Sequence, residues 1–328
     1  MTANATADRP AAGEEAGAAG VAEPAPQYLA GAACVCLAVF CFAIQDALIK
    51  YLSGLYPIYQ FLLMRSITMV PILGAAVWWE AGAAGFRIVK PGFVLLRGIV
   101  LLGAYLTYSL SLARLALADA TAIYFTLPLF VAALAGPMLG ERVPVYRWLA
   151  IISGFTGVIV MLRPGYGVFE PAALLALAGA FLYGVGQMMS GLFPGNRTSS
   201  IAFYQSCVYL VGAIVLTTAF GSGSWASAFG PEWGFLVRAW TEPTARDLAL
   251  MLAFGPLSAI GMPLYVHGYK VAPTNFAAPF EYTSMMWAVV LGFLLFGALP
   301  GVATVVGAAI VVGAGLFMVW NDGRVARG

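Results

Sequence analysis

The sequence predicts an all-α membrane protein of ten transmembrane helices, arranged as two inverted five-helix repeats. Three observations carry this reading. Hydrophobic residues make up 62% of the 328 positions and charged residues 9%, against about 25% charged in soluble domains. Ten apolar stretches follow residue 27, each long enough at about 1.5 Å rise per residue to cross roughly 30 Å of hydrocarbon. Stretches of the first half also recur in the second.

Residues 1–27 are rich in Ala, Gly and Pro and carry Glu14, Glu15 and Glu23. They predict a disordered cytoplasmic tail. The tail is acidic where the leading region of a secretory signal is basic, so it does not read as one. Spans are predicted at 28–50, 57–79, 92–112, 117–139, 146–163, 170–192, 199–220, 246–269, 273–297 and 302–320. A second short tail follows at 321–328. Short connections such as Ser53-Gly54-Leu55-Tyr56 imply antiparallel neighbours. The one long connection, 221–245, carries Trp225, Trp233 and Trp240. It predicts an interfacial segment lying on the membrane.

Orientation follows from Lys and Arg. With the N-terminus inside, the inner side holds Arg9, Arg87, Lys90, Arg142, Arg147, Arg197, Lys270, Arg324 and Arg327. The outer side holds Lys50, Arg114, Arg163, Arg238 and Arg246. Nine against five predicts both termini in the cytoplasm. The net charge of +2 is too small to suggest a nucleic-acid partner. Cys34, Cys36, Cys41 and Cys207 all lie in apolar sequence and read as small fillers, not as a disulfide framework or a metal site. No cofactor is expected.

The duplication shows in two places. Ala38 to Gln45 and Ala180 to Gln187 both run small and aromatic residues into a glutamine. The run Leu129 to Glu141 aligns with Met286 to Ala298. Five spans per half is an odd number, so the copies sit in opposite orientations, which places a substrate site near the midplane between them. The predicted repeats cover 28–163 and 170–320.

These residues resemble a known family. Five-plus-five spans, Leu139-Gly-Glu-Arg-Val143 ending span four, and Pro279-Phe-Glu-Tyr-Thr-Ser284 running to Leu295-Phe-Gly297 resemble the EamA-type transporters of the drug/metabolite transporter superfamily. Asp46-Ala-Leu-Ile-Lys-Tyr-Leu-Ser53, followed by Met64-Arg65, looks like that family's opening. The resemblance covers residues 30 to 320. It implies a bacterial inner-membrane carrier with a central cavity for a small metabolite such as an amino acid, nucleoside or cofactor. Export is the expected direction. Uptake of a cofactor-type metabolite such as S-adenosylmethionine or riboflavin is the alternative. One departure stands out: Gly297 is followed by Ala298, where the family's second repeat usually ends Gly-Glu.

The candidate substrate or coupling residues are Glu281, Asp46, Lys50, Arg65, Gln45, Gln187, Tyr282 and Trp287. An acid at membrane depth costs at least a few kcal/mol and usually faces water or a partner, so Glu281 is a candidate for proton coupling. The alternative is an acid near a helix end that reaches the headgroups. Asp46 and Lys50 share one helical face and can pair, or Lys50 snorkels to the outer headgroups. Gln45 and Gln187, at corresponding places, offer amides to a substrate or to each other's helices. Arg65 lies deep and stays charged; Arg97 can reach the cytoplasmic headgroups. His267 is a proton relay or an interfacial polar residue. Pro128, Pro256, Pro263 and Pro279 break helices and can line a cavity. Tyr105, Tyr108, Tyr124, Tyr183 and Tyr265 suit stacking on an organic substrate. Ser153 with Gly157, and Ala309 with Gly313, are small-residue pairs that permit tight helix contact, between protomers if the carrier is a homodimer rather than a monomer.

A secondary carrier fits best. A membrane-embedded lipid-modifying enzyme needs a clustered acid/base set, and the chain has one histidine and no Gly-x-Ser-x-Gly. A channel needs a filter loop or ring of acids, and neither is present.

Overall fold

The computed structural model describes residues 28–140, 144–162, 171–191, 195–230, 233–272 and 274–325. The predicted tail at 1–27, the Glu-Arg-Val of the span-four motif and the last three residues lie outside the described residues. Ten helical spans are α1 Tyr28–Ser53, α2 Ile58–Phe86, α3 Pro91–Arg114, α4 Leu117–Met138, α5 Val145–Leu162, α6 Ala172–Met189, α7 Thr198–Phe220, α8 Ala245–Val271, α9 Ala278–Phe296 and α10 Val302–Asp322. Each is the span expected from hydropathy, with small shifts at the ends. No strand occurs among the described residues. In lipid every backbone polar group needs an internal partner, and an unbroken helix supplies it.

Two helices break at equivalent points. In α4 the helix turns at Phe125 and Thr126 and restarts with Pro128 in its first turn. In α9 a 3-10 turn over Ala278–Tyr282, with Pro279 at its start, precedes the α-helix from Thr283. Proline has no N–H to give the ladder. Thr126 donates to the carbonyl of Ile123 at 2.8 Å, and Thr283 to that of Phe280 at 2.7 Å. Gly140 and Gly297 both close their helices at positive φ, 71° and 63°, where glycine carries no Cβ penalty. Each of these pairs is 157 positions apart, the register expected from the second sequence match.

The packing is interlaced. Consecutive helices touch little, although short loops join them; their main partners come from the other half. α1 packs on α8 as α6 packs on α3, and α9 on α1 as α4 on α6. α2 lies against α8 as α7 lies against α3. The α2–α7, α4–α9 and α5–α10 contacts each join a helix to its own counterpart. Exchanging the halves therefore maps the packing onto itself, as a twofold between inverted repeats requires. It also defines two mixed bundles, one of α1, α2, α8 and α9, the other of α6, α7, α3 and α4.

Of the two small-residue pairs, Gly157 makes a tight helix contact inside the chain, while Ser153 and Ala309 are exposed. A Cβ on Gly157 of α5 would stand 2.7 Å from the Gly307 carbonyl of α10, so the two backbones meet directly. Gly313 faces open space.

The long connection meets the expectation of a surface segment only in its first part, where Trp225 and Phe229 are exposed; its second part is buried. Phe235 and Val237 are only 5% and 1% exposed, and Phe235 rings meet Phe61 at 5.8 Å. Tyr59 donates to the Arg238 carbonyl at 2.6 Å, Gln60 to that of Thr241 at 2.7 Å, and Arg238 to that of Ser53 at 3.3 Å. Tyr56 donates to Asp247 at 2.8 Å. The segment 234–244 is thus a plug. Its buried aromatic and aliphatic residues are rewarded by apolar burial more than they would be at the headgroups. The plug completes an apolar seal with Leu52, Ile58, Phe61, Leu112, Leu117 and Ile123, drawn from both bundles. Toward the opposite end, which bears the termini, the buried residues fall into separate groups. Val35 and Val39 pack there with Ala272 and Ala277, while Leu62 and Leu101 pack with Tyr209 and Ala213 between that end and the seal.

Candidate functional site

Between the bundles, both acids and Arg65 stand on one side and most of the tyrosines, with Arg97, on the other. The first bundle supplies Asp46 from α1, Arg65 from α2 and Glu281 from the α9 break. The second supplies Tyr105 and Tyr108 from α3, Tyr124 from α4, Tyr183 from α6 and Tyr209 from α7.

Asp46 accepts a hydrogen bond from Tyr108 at 3.0 Å. The sequence suggested Lys50 as its partner. Lys50 instead turns to the end of α3, donating to Leu112 and Leu115 carbonyls at 3.2 and 2.5 Å, with its ammonium 5.7 Å from the Phe296 ring. A cation is favourable at a helix C-terminus, where carbonyls lack donors. Lys50 therefore belongs to the sealed end, not to the site or the headgroups.

Arg65 lies over two rings, 5.0 Å from the centroid of Tyr105 and 5.8 Å from that of Tyr209. The guanidinium is held by their π faces. It acts electrostatically on Asp46 but makes no ion pair with a described carboxylate. Arg97 does not reach for headgroups. It donates to the Gly186 carbonyl of α6 at 3.1 Å and to Gln205 of α7 at 2.9 Å. Gln205 donates to the Tyr209 hydroxyl at 3.3 Å, and that hydroxyl donates to the Leu101 carbonyl at 2.9 Å. A polar chain thus joins Arg97 to the ring beneath Arg65.

Glu281 accepts from Tyr265 at 2.6 Å and from Tyr269, both on α8. Those rings lie 5.1 Å apart. Tyr265 is the counterpart of Tyr108, 157 positions on, and Glu281 that of Tyr124. Tyr108 meets Tyr124 ring to ring at 4.6 Å, where Tyr265 meets a carboxylate. Tyr183 bridges the two groups, within electrostatic reach of Glu281, Arg97 and Arg65, its ring 6.0 Å from Tyr124. Trp287 packs on Phe40 at 4.5 Å, and its indole N–H is buried with no acceptor among the described residues.

Three expectations fall away from the site. Tyr282 rests on Phe125, 5.1 Å between rings, and fills the space that a Cβ on Gly315 would need. It is a contact among α4, α9 and α10. Gln45 is buried and accepts from Ser258 at 2.8 Å, a helix-to-helix bond, whereas Gln187 is exposed. Leu101 is the counterpart of Ser258, and it packs against Gly186, so Gly186 and not Gln187 takes Gln45's structural place. His267 is exposed on α8, away from Glu281. Sequence reasoning missed Tyr209, Tyr269 and Gln205. The i, i+4 spacing of Tyr265 with Tyr269, and of Gln205 with Tyr209, was the available signal. The described residues hold no cluster of metal-ligating side chains.

Ten apolar spans, a twofold of inverted halves and a polar site between mixed bundles define a multi-pass membrane transporter of a small metabolite. The chain belongs to the EamA-like transporter family, whose pattern matches residues 29–163. It is 30% identical over 247 residues to a riboflavin transporter of Rhizobium johnstonii, covering 75% of this chain and 76% of that one. It is 23% identical over 300 residues to an S-adenosylmethionine uptake transporter of Rickettsia prowazekii, covering 90% and 94%. It is also 27% identical over 280 residues to the pseudopaline exporter CntI of Pseudomonas aeruginosa, covering 84% and 91%. A protein of known crystal structure, 18% identical, shares the fold with a TM-score of 0.59 over 90% of this chain and 98% of its own.

Proposed function

We propose that the protein is a secondary carrier of a bacterial inner membrane, with both termini cytoplasmic, that takes up a zwitterionic metabolite bearing an aromatic ring. The observation that carries this is Arg65. It is a permanent cation held over two tyrosine rings with no acid in contact. Such a group is placed for a substrate carboxylate. Asp46 and Glu281 suit the positive end of the same molecule, and the tyrosines between them suit a planar ring. An S-adenosylmethionine-type molecule has all three features, and the relative named for its uptake supports uptake over the export first expected. A flavin-type cargo is the second reading, favoured by the 30% identical relative; it would use the rings and leave Arg65 idle.

Nine basic residues against five support cytoplasmic termini, and the plug then seals the outer side. Alternating access proceeds by rocking of the two mixed bundles about the α5–α10 pair, since the site lies between those bundles. Glu281 couples the cycle to protons. Substrate and proton bind from one side, the seal at that side forms, and the opposite seal opens.

The test uses purified protein in liposomes with labelled S-adenosylmethionine, riboflavin and amino acids. Saturable accumulation of the first is expected, reduced at least roughly 30-fold in Arg65→Ala, the ratio equivalent to about 2 kcal/mol for truncating one partner of a buried charge pair. Accumulation of riboflavin alone, unaffected by Arg65→Ala, would replace the reading with the flavin one. No accumulation of any probe would sink both.

A further inference from the structure

The chain of bonds from Arg97 to Tyr209 has a forced direction. A guanidinium carries donors and no acceptor, so Gln205 must turn its carbonyl oxygen to Arg97, across 2.9 Å. The amide NH2 of Gln205 then faces the Tyr209 hydroxyl oxygen at 3.3 Å. With that donor in place, the hydroxyl's own proton points the other way, to the Leu101 carbonyl at 2.9 Å. Each orientation follows from the one before it, and the first is set by a cation that keeps its charge.

Both ends of the chain are anchored. Arg97 Nε also donates to the Gly186 carbonyl of α6 at 3.1 Å. A Cβ on Gly186 would stand 2.5 Å from the Leu101 side chain, so α3 and α6 are in close contact at this level. Leu101 precedes Tyr105 by four residues, about one helical turn. The two rings beneath Arg65 thus share one reference. Tyr105 is placed by the α3 backbone, and Tyr209 of α7 by a hydroxyl bond to that backbone. Their rings lie 5.8 Å apart with 37° between planes. The Arg65 guanidinium, which comes from the other bundle, rests on both. Leu62, Leu101 and Ala213 bury the Tyr209 ring, but apolar burial is non-directional and leaves the ring's tilt open. A hydrogen bond to the hydroxyl is directional and fixes it.

We propose that Gln205 and the Tyr209 hydroxyl are positioning residues that hold the two-ring cradle, and with it Arg65, in one geometry for an incoming carboxylate; this rests on the reading of Arg65 as the carboxylate-binding cation. They act through Arg65 and not on the cargo. Breaking the chain frees the ring, spreads the guanidinium over several positions and weakens binding, while the loaded carrier turns over as before.

Two variants break the chain and spare the ring. Tyr209→Phe removes the hydroxyl. Gln205→Glu keeps an acceptor for Arg97, so the cation is not stranded, and offers Tyr209 no donor. In purified full-length protein carrying isotope-labelled arginine, the δ-methylene signal of Arg65 reports the cradle, because protons over aromatic rings shift upfield. Arg65→Lys identifies that signal by its loss. The signal should move downfield in both variants. In liposomes the KM for labelled S-adenosylmethionine should rise about fivefold, the factor equivalent to the usual net contribution of one hydrogen bond, with Vmax kept. In an Arg65→Ala background, Gln205→Glu should change nothing further. An Arg65 signal that stays in place in both variants overturns the proposal. So does a KM rise of the same size when Arg65 is absent, or a fall in Vmax at unchanged KM. If the wild type accumulates no S-adenosylmethionine, the cargo reading falls and the arginine signal alone decides the cradle. Melting curves, expected to coincide for wild type and both variants, separate a loosened cradle from a loosened fold.

Discussion

At the scale of residues, Arg65 and Glu281 are the two charges whose surroundings differ most. Arg65 is held by ring faces, Glu281 by two hydroxyl donors. Arg65→Lys should restore little of the transport lost in Arg65→Ala, because a compact, strongly hydrated ammonium does not stack across two rings as a planar guanidinium does. Initial rates in liposomes check it, and lysine equal to wild type would remove the stacking argument. Glu281→Gln should leave the protein folded while abolishing the dependence of transport on a pH gradient. Unchanged coupled transport in that variant ends the proton role. Both residues were legible in the sequence because a charge at membrane depth is costly and demands a reason. Their partners were not. Tyr269 and Tyr209 look like any membrane tyrosine until α8 and α7 are placed against their neighbours, and Lys50 looked like a partner for Asp46 because four-residue spacing says only that two groups share a face.

Among the elements, the breaks in α4 and α9 were readable from Pro128 and Pro279, and the matching threonine bonds show that both copies keep the same device. The plug was misread. The connection's tryptophans carry an interfacial signal, which Trp225 keeps, but Phe235 and Val237 are decided by what they meet, and no local pattern contains Phe61. Phe235→Ala should cost about 3–5 kcal/mol of the seal, as for other large-to-small core changes. A cysteine introduced at buried Ala47 should then react faster with an impermeant maleimide added from the plug side. Labelling at the wild-type rate would mean that the segment does not close the path. On the far side of the molecule, Gly157→Leu should lower the melting temperature or prevent folding, since its side chain would enter the space of the Gly307 carbonyl. A variant as stable as wild type would show that the α5–α10 contact can be relaxed without cost.

At the scale of the whole molecule, the span count and the duplication were legible because hydrophobic length and repeated sequence are local facts. The interlacing was not. Short loops suggested that sequence neighbours pack together, whereas α1 finds α8 and α3 finds α6. Packing in lipid is chosen by close-fitting small residues and polar contacts wherever they occur along the chain, as Gly268 beside Val35 and Gly186 beside Leu101 show. The plug has a consequence of its own here. Two identical inverted copies would make the state open to one side and the state open to the other equivalent by the twofold rotation, with equal free energy. An insertion found between α7 and α8, with nothing like it between α2 and α3, removes that degeneracy. The empty carrier should dwell with its mouth toward the termini, and the slow step of each cycle should be the reopening of the plugged face.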